Sequence, residues 1–211
     1  MNKNIYHRYL KLPFEHHFPK CFENKPEKMA GATYHEFYIK KEHWDQRFVD
    51  WLSQFNLKPS NICEGFYNTP NGGGLPMHND TNTLNNCVNI NFTWGPSTSY
   101  TRWWKIKEES LLIREPYNVE YSKECLKGIE VDMPVSNFFN AKEKDCDLMY
   151  EKVIDRPSLM NVGQLHSTFN PHPTECRWTM SYHILDKQNN RHIEFDEAIS
   201  LFKDLAYENH E

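Results

Sequence analysis

The chain has 211 residues, enough to bury one hydrophobic core, and this length gives no reason to expect a second domain. Its 24 basic and 29 acidic side chains give a formal net charge of -5, whereas proteins that bind phosphate backbones usually carry a basic excess. We therefore do not expect nucleic acid to be the principal partner.

The sequence also lacks the usual signs of a membrane or secreted protein. No window contains the roughly 18 consecutive apolar residues that a membrane-spanning helix requires. The N-terminal segment has neither a continuous apolar stretch nor a small-residue cleavage site. The six cysteines are scattered without a CxxC pair, which argues against a zinc ribbon and against a disulfide framework. These features predict a cytoplasmic protein that does not associate with membranes.

The N-terminal part, residues 1–60, is predicted to hold an arm, a strand and a helix. Residues 1–30 contain several prolines and charges and indicate an irregular arm. Thr33 to Ile39 alternates and is rich in aromatic and β-branched residues, which predicts a strand. Helical periodicity from Lys41 to Phe55 predicts a helix with one apolar face.

From residue 62 the pattern is mostly β. Strands are predicted at Ile62–Tyr67, Leu84–Trp94, Ser99–Ile106, Leu148–Ile154, Ser158–Val162 and Arg177–Leu185. Residues 107–145 contain charged stretches and two prolines and are interpreted as an insertion. A helical stripe from Phe195 to Leu205 predicts that residues 190–211 form a C-terminal helix. Many short strands without βαβ alternation predict one mainly β domain over residues 1–211, a sandwich or jelly roll with its core at 62–185.

Local pairs of a histidine and a carboxylate occur three times, as His43/Asp45, His78/Asp80 and His192/Glu194. On the predicted helix, residues two apart project about 200° around the axis, so His43 and Asp45 cannot chelate one ion. His78 and Asp80 follow a glycine-rich turn and enter an extended segment, where residues two apart share a face. The third pair leaves almost no chain downstream for another ligand. The pair His78/Asp80 is therefore the candidate metal-binding motif.

The segment 157–171 supplies the third ligand. It consists of an apolar strand, a glycine-containing turn, and His166 at the start of another extended stretch. Arg177 follows eleven residues later and shares a strand face with Thr179 and Ser181, an arrangement that suits a carboxylate. Two imidazoles and one carboxylate leave open positions on ferrous iron, whereas a structural zinc site fills all four positions with protein ligands. The set predicts catalysis. Five other histidines are interpreted as bystanders: His16, His17, His35, His172 and His183.

The order His78-x-Asp80, His166, Arg177 resembles the Fe(II)/2-oxoglutarate-dependent oxygenases of the prolyl-hydroxylase or phytanoyl-hydroxylase type, over about residues 62–185. The resemblance implies a double-stranded β-helix, a jelly roll with flanking helices. It also implies that His78, Asp80 and His166 bind Fe(II). Arg177 would bind the distal carboxylate of 2-oxoglutarate, and O2 would be the oxidant.

The stretch from Tyr67 to Asp80, a tyrosine followed by a glycine-rich turn and the metal motif, is similar to the corresponding part of prolyl hydroxylases. The resemblance implies that Tyr67 contacts 2-oxoglutarate, that Thr179 or Ser181 assists, and that Asn89 or Asn91 points inward at the co-substrate. It also implies hydroxylation rather than halogenation, because related halogenases lack the carboxylate that Asp80 provides.

We therefore predict a dioxygenase that hydroxylates a peptide side chain or a small molecule and produces succinate and CO2. Two alternatives stay open at this point. One is a metal-dependent jelly-roll enzyme that does not use 2-oxoglutarate. The other is a non-catalytic jelly-roll binding protein with a degenerate metal site.

Overall fold

The computed structural model describes residues 4–23, 34–80, 86–108, 137–138 and 142–208. Its strands are β1 (His7–Leu10), β2 (Tyr34–Tyr38), β3 (Leu57–Asn68), β4 (His78–Asn79), β5 (Val88–Trp94), β6 (Tyr100–Ile106), β7 (Asn137–Phe138), β8 (Cys146–Val153), β9 (Ser158–Asn161), β10 (His166–Phe169), β11 (Arg177–Asp186) and β12 (Ala206–Tyr207). Its α-helices are α1 (Gln46–Ser53) and α2 (Phe195–Leu201).

The strands form two antiparallel sheets. The larger sheet has the order β12-β1-β9-β5-β11-β3-β2, and the smaller one has the order β7-β4-β10-β6-β8. From β3 to β6, and again from β8 to β11, the chain passes from one sheet to the other at every step. This winding is that of a jelly roll. The predicted mainly β fold is therefore confirmed.

The main hydrophobic core lies on the outer face of the larger sheet. Val88, Ile90 and Phe92 of β5 pack there with apolar side chains of α1, α2 and the N-terminal segment. Asn89 and Asn91 alternate with them and are buried on the opposite face, between the two sheets. The inner face therefore carries polar side chains beside a smaller apolar cluster that includes Trp103 and Met160.

Helix α1 is shorter than predicted. Lys41–His43 form a 3-10 turn, and the α-helix begins at Gln46 because the Asp45 side chain caps it by accepting a hydrogen bond from the Arg47 amide at 3.0 Å. The Asp45 carboxylate also forms an ion pair with the Arg47 guanidinium at 2.7 Å. The premise that His43 and Asp45 lie on one helix is therefore wrong, and Asp45 caps a helix instead.

Both ends of the chain contain strands where none was predicted. In the arm, β1 pairs with β9 and with β12. The predicted C-terminal helix is too long, because α2 ends at Leu201 and β12 follows. Of the predicted insertion, residues 109–136 and 139–141 lie outside the described residues, as do Leu84 and Asn85 of the predicted third strand. No helix among the described segments is long and apolar enough to cross a membrane.

Candidate metal centre

The His78/Asp80 pair and His166 meet where β4 lies beside β10. His166 is the register partner of His78, and their ring centroids are 4.2 Å apart. The amide of Asp80 donates to the Val162 carbonyl at 3.0 Å, which holds this residue beside the turn that leads into β10. One ligand atom from each of the three side chains lies within 4.8 Å of the others, and all three residues are buried. This group could hold a metal ion.

The glycine-rich turn makes this approach possible. Asn71 and Gly72 have positive φ angles of 60° and 96°, which turn the chain back toward β10. A Cβ atom on Gly74 would collide with the carbonyl oxygen of Thr168, so only glycine allows the two backbones to come this close. The Leu75 amide then donates to the Thr168 hydroxyl at 3.0 Å. The turn therefore positions the metal motif against the third ligand.

Backbone carbonyls fix the ring orientation of both histidines. Nδ1 of His78 lies 2.7 Å from the Pro76 carbonyl oxygen, and Nδ1 of His166 lies 2.9 Å from that of Gln164. A carbonyl oxygen only accepts, so Nδ1 carries the proton in each ring and Nε2 keeps its lone pair. Metal-binding histidines typically have this arrangement, in which the second nitrogen is held by an outer hydrogen bond.

Burial also keeps these imidazoles neutral. Burial, together with the neighbouring His166, lowers the pKa of His78 from 6.5 to about 4 against the opposing effect of Asp80. Burial lowers the pKa of His166 to about 4 as well. Since a metal binds the neutral ring, neither histidine has to lose a proton before it coordinates near pH 7.

The Asp80 carboxylate is oriented by a chain of side-chain hydrogen bonds. Its Oδ1 lies 3.6 Å from Nε2 of His78, whereas its Oδ2 accepts from the Asn89 amide at 3.0 Å. The same amide nitrogen donates to the Ser181 hydroxyl at 3.0 Å, and that hydroxyl donates to Oδ1 of Asn91 at 2.7 Å. Asn89 and Ser181, predicted as co-substrate contacts, thus position a candidate metal ligand. Such outer hydrogen bonds typically control the affinity and geometry of a metal site.

Arg177 lies on the inner face of β11 and is 2% exposed. Its Nε and Nη1 atoms have no hydrogen-bond partner among the residues that the structure describes. Burial lowers its pKa from 12.5 to about 10. A buried guanidinium of this kind is costly unless an anion pairs with it, so its surroundings favour a negatively charged ligand.

Two hydroxyl groups accompany this arginine. The Thr179 hydroxyl has no hydrogen-bond partner among the described residues, and neither has that of Thr93, its register partner on β5. Directly opposed side chains of an antiparallel pair lie about 5 Å apart. Sequence reasoning identified Thr179 but missed Thr93, although both alternate inward by the same two-residue period.

The predicted co-substrate contact of Tyr67 is not supported. Tyr67 pairs with Trp178 of β11, and the two ring centroids are 4.5 Å apart. Trp178 packs against the outer hydrophobic core, on the face opposite to Arg177 and Thr179. The alternation of β3 therefore directs Tyr67 away from the metal-binding group, and we do not retain it as a ligand contact.

Sequence reasoning also missed two buried ionisable residues next to the group. Glu64 on β3 and His183 on β11 form a pair, with Oε2 to Nε2 at 3.3 Å. Burial raises the pKa of the Glu64 carboxyl. The structure therefore places His183, interpreted from the sequence as a bystander, beside the candidate metal-binding group. The sequence already indicated this position, because His183 lies two residues after Ser181 on the same predicted strand and therefore shares its face.

No protein-family model matches the chain, and no curated protein is similar to it at a significant level. A recombinant oxalate oxidase in complex with glycolate aligns with 81% of the chain at 10% identity and a TM-score of 0.34, and the chain spans 58% of that protein. E. coli ycfD aligns with 94% at 12% identity and a TM-score of 0.39, and the chain spans 45% of it. Peruvianin-I, a cysteine peptidase from Thevetia peruviana latex, aligns with 89% at 9% identity and a TM-score of 0.37, and the chain spans 94% of it. Similarities this low carry no argument about activity.

Proposed function

We propose that the chain is an Fe(II)- and 2-oxoglutarate-dependent oxygenase that hydroxylates a small molecule or a peptide side chain. The observation that carries this proposal is the convergence of His78, Asp80 and His166, with each imidazole held so that Nε2 is its remaining ligand atom. Two neutral imidazoles and one carboxylate suit a ferrous ion that keeps positions open. Bound iron, with 2-oxoglutarate and O2, would supply the oxidising power and yield succinate and CO2.

Arg177 supports the dependence on 2-oxoglutarate. Its buried donors, with the hydroxyls of Thr93 and Thr179, form a set that a carboxylate would satisfy. Arg177 and Ser181 are four residues apart on one strand face, about 13 Å of extended chain. The Ser181 hydroxyl is joined to Asp80 through one amide nitrogen. A dicarboxylate held by the arginine at one end would direct its other end along the strand face toward the metal ligands.

The other side chains orient the ligands. Asn89 holds one oxygen of Asp80, so the second oxygen is directed toward His78. The Pro76 and Gln164 carbonyls hold the two rings. Because all three ligands are buried, solvent has little access to them, which suits chemistry that must exclude side reactions.

Formation of succinate tests the proposal. Anaerobically purified protein, loaded with Fe(II), is mixed with 2-oxoglutarate and O2, and succinate is measured by mass spectrometry with and without pooled candidate substrates. We expect succinate from the wild type and none above background from His166→Ala. Binding of 2-oxoglutarate to the anaerobic Fe(II) protein, followed by its visible charge-transfer absorption, provides a second readout that needs no substrate. Stoichiometric iron without 2-oxoglutarate binding would favour a metal enzyme of another kind, and protein without metal affinity would favour a binding protein.

A further inference from the structure

A second set of ligand atoms lies beside the first on the inner face of the larger sheet. Glu64 is the register partner of Ser181, and His183 is the register partner of Asn89. Both residues therefore lie next to the side chains that hold Asp80. One ligand atom each from Glu64, Asp80 and His183 lies within 4.8 Å of the others, and all three residues are buried.

The spacing of this set suits a cation. Adjacent ligand atoms around an ion with bonds of about 2.1 Å lie about 3.0 Å apart. Oε2 of Glu64 and Nε2 of His183 are separated by 3.3 Å, closer to that value than the 3.6 Å between Nε2 of His78 and Oδ1 of Asp80. Glu64 and His183 are thus at least as well placed to coordinate one cation as His78 and Asp80 are.

The contact with His183 does not satisfy Glu64. Oε1 of Glu64 has no hydrogen-bond partner among the described residues, although the residue is only 5% exposed. Leaving a buried acceptor unsatisfied costs about 1–3 kcal/mol, and more if it is charged. The His183 nitrogen that contacts Oε2 cannot at the same time form a hydrogen bond with Oε1. A cation that coordinates both carboxylate oxygens of Glu64 would satisfy Oε1. A cation that coordinates one of them, with a bound water donating to the other, would do the same.

From this geometry we infer that Glu64, Asp80 and His183 form a second divalent-cation site that shares the Asp80 carboxylate with His78 and His166. The shared carboxylate makes the centre dinuclear, with two cations about 3.5–4 Å apart, the usual separation in two-metal sites. Its nitrogen and oxygen ligands suit Mn2+, Fe2+ or Zn2+. The inference concerns cation binding alone and does not depend on the use of 2-oxoglutarate.

Mn2+ is the probe for the test because it binds nitrogen and oxygen ligands and is detected by electron paramagnetic resonance. Metal-free full-length protein is dialysed against Mn2+, and bound manganese is counted by mass spectrometry. We expect two Mn2+ per wild-type chain, with a spin-coupled signal in place of isolated six-line spectra. Glu64→Gln and His183→Asn should each retain one Mn2+ with an uncoupled signal. Glu175→Gln, which makes the same change at an exposed carboxylate, should retain two.

His166→Ala separates this inference from the proposed function. It should also reduce the content to one Mn2+, and combining it with Glu64→Gln should abolish binding. A wild type that binds one Mn2+, retained in Glu64→Gln and lost in His166→Ala, overturns the second site and leaves the proposed function intact. Two uncoupled manganese ions in the wild type would also overturn the shared carboxylate. Circular dichroism of each variant excludes loss of fold as the cause.

Discussion

Replacement of Arg177 by methionine should affect stability and ligand binding in opposite directions. A tenfold change in proton affinity corresponds to about 1.4 kcal/mol. Since burial lowers the pKa of Arg177 from 12.5 to about 10, the buried charge is disfavoured in the ligand-free protein by about 3 kcal/mol. Replacing a buried ion pair with apolar side chains of similar volume is often neutral or stabilising by about 1–4 kcal/mol, and we expect the same direction for a single buried charge. We therefore expect Arg177→Met to raise the free energy of unfolding of the ligand-free protein.

The same substitution should remove the response to 2-oxoglutarate. Each hydrogen bond to a charged group is worth about 1.5–3 kcal/mol, so losing a pair of them raises the dissociation constant by two to four orders of magnitude, about 100- to 10,000-fold. Urea unfolding of the Mn2+-loaded protein, with and without 2-oxoglutarate, measures both effects in one assay. Arg191→Met is the control, because Arg191 is exposed and pairs with Glu197 at 2.7 Å, a contact worth about 1 kcal/mol or less.

One result would refute this reasoning. If Arg177→Met unfolds at lower urea in the absence of ligand and is still stabilised by 2-oxoglutarate as strongly as the wild type, the arginine has a structural role and does not bind the co-substrate. A loss of stability alone would show that the guanidinium has partners that the charge argument does not include.

Three further predictions follow from the same geometry. Asn89→Ala removes the donor to Oδ2 of Asp80, so Mn2+ affinity measured by calorimetry should fall by about 10- to 100-fold while the protein stays folded; unchanged affinity would contradict the positioning role. The metal-free protein should lose stability as pH falls from 6.5 toward 4, at about 1.4 kcal/mol per histidine and pH unit, because burial lowers the pKa of His78 and His166, and also of His7, His16 and His192, below that of the unfolded state. The raised pKa of Glu64 offsets one of these contributions; urea midpoints that do not change between pH 7 and 5 would contradict the lowered pKa values. Tyr67→Phe should leave the KM for 2-oxoglutarate within about twofold of the wild type, because Tyr67 lies on the outer face, and a KM raised tenfold would restore it as a ligand contact.

The jelly roll and the metal group follow from short-range patterns in the sequence. Alternation in β5 separates its apolar residues from Asn89 and Asn91, and the structure places the two sets on opposite faces. A glycine-rich turn before an extended histidine and aspartate predicts two ligands on one face. His78 and Asp80 lie close to His166 because β4 and β10 are neighbouring strands, an arrangement that follows from the winding of a jelly roll.

The remaining features depend on which residues of distant strands are opposite each other. Ser181 was predicted to face inward, but only the register of β5 with β11 places Asn89 between it and Asp80. The pairing of β3 with β11 brings Glu64 and His183 together across 119 positions of sequence, a separation that local patterns do not encode. The start of α1 was predicted too early because the apolar periodicity continues upstream of Asp45. The helix begins only after Asp45, whose side chain caps it.

The central claim is that His78, Asp80 and His166 bind one cation. Anomalous diffraction from crystals of the Mn2+-loaded protein tests it most directly. We expect a manganese peak within about 2.0–2.3 Å of Nε2 of both histidines and of a carboxylate oxygen of Asp80. Manganese bound elsewhere on the chain, with no peak between these three side chains, would contradict the claim.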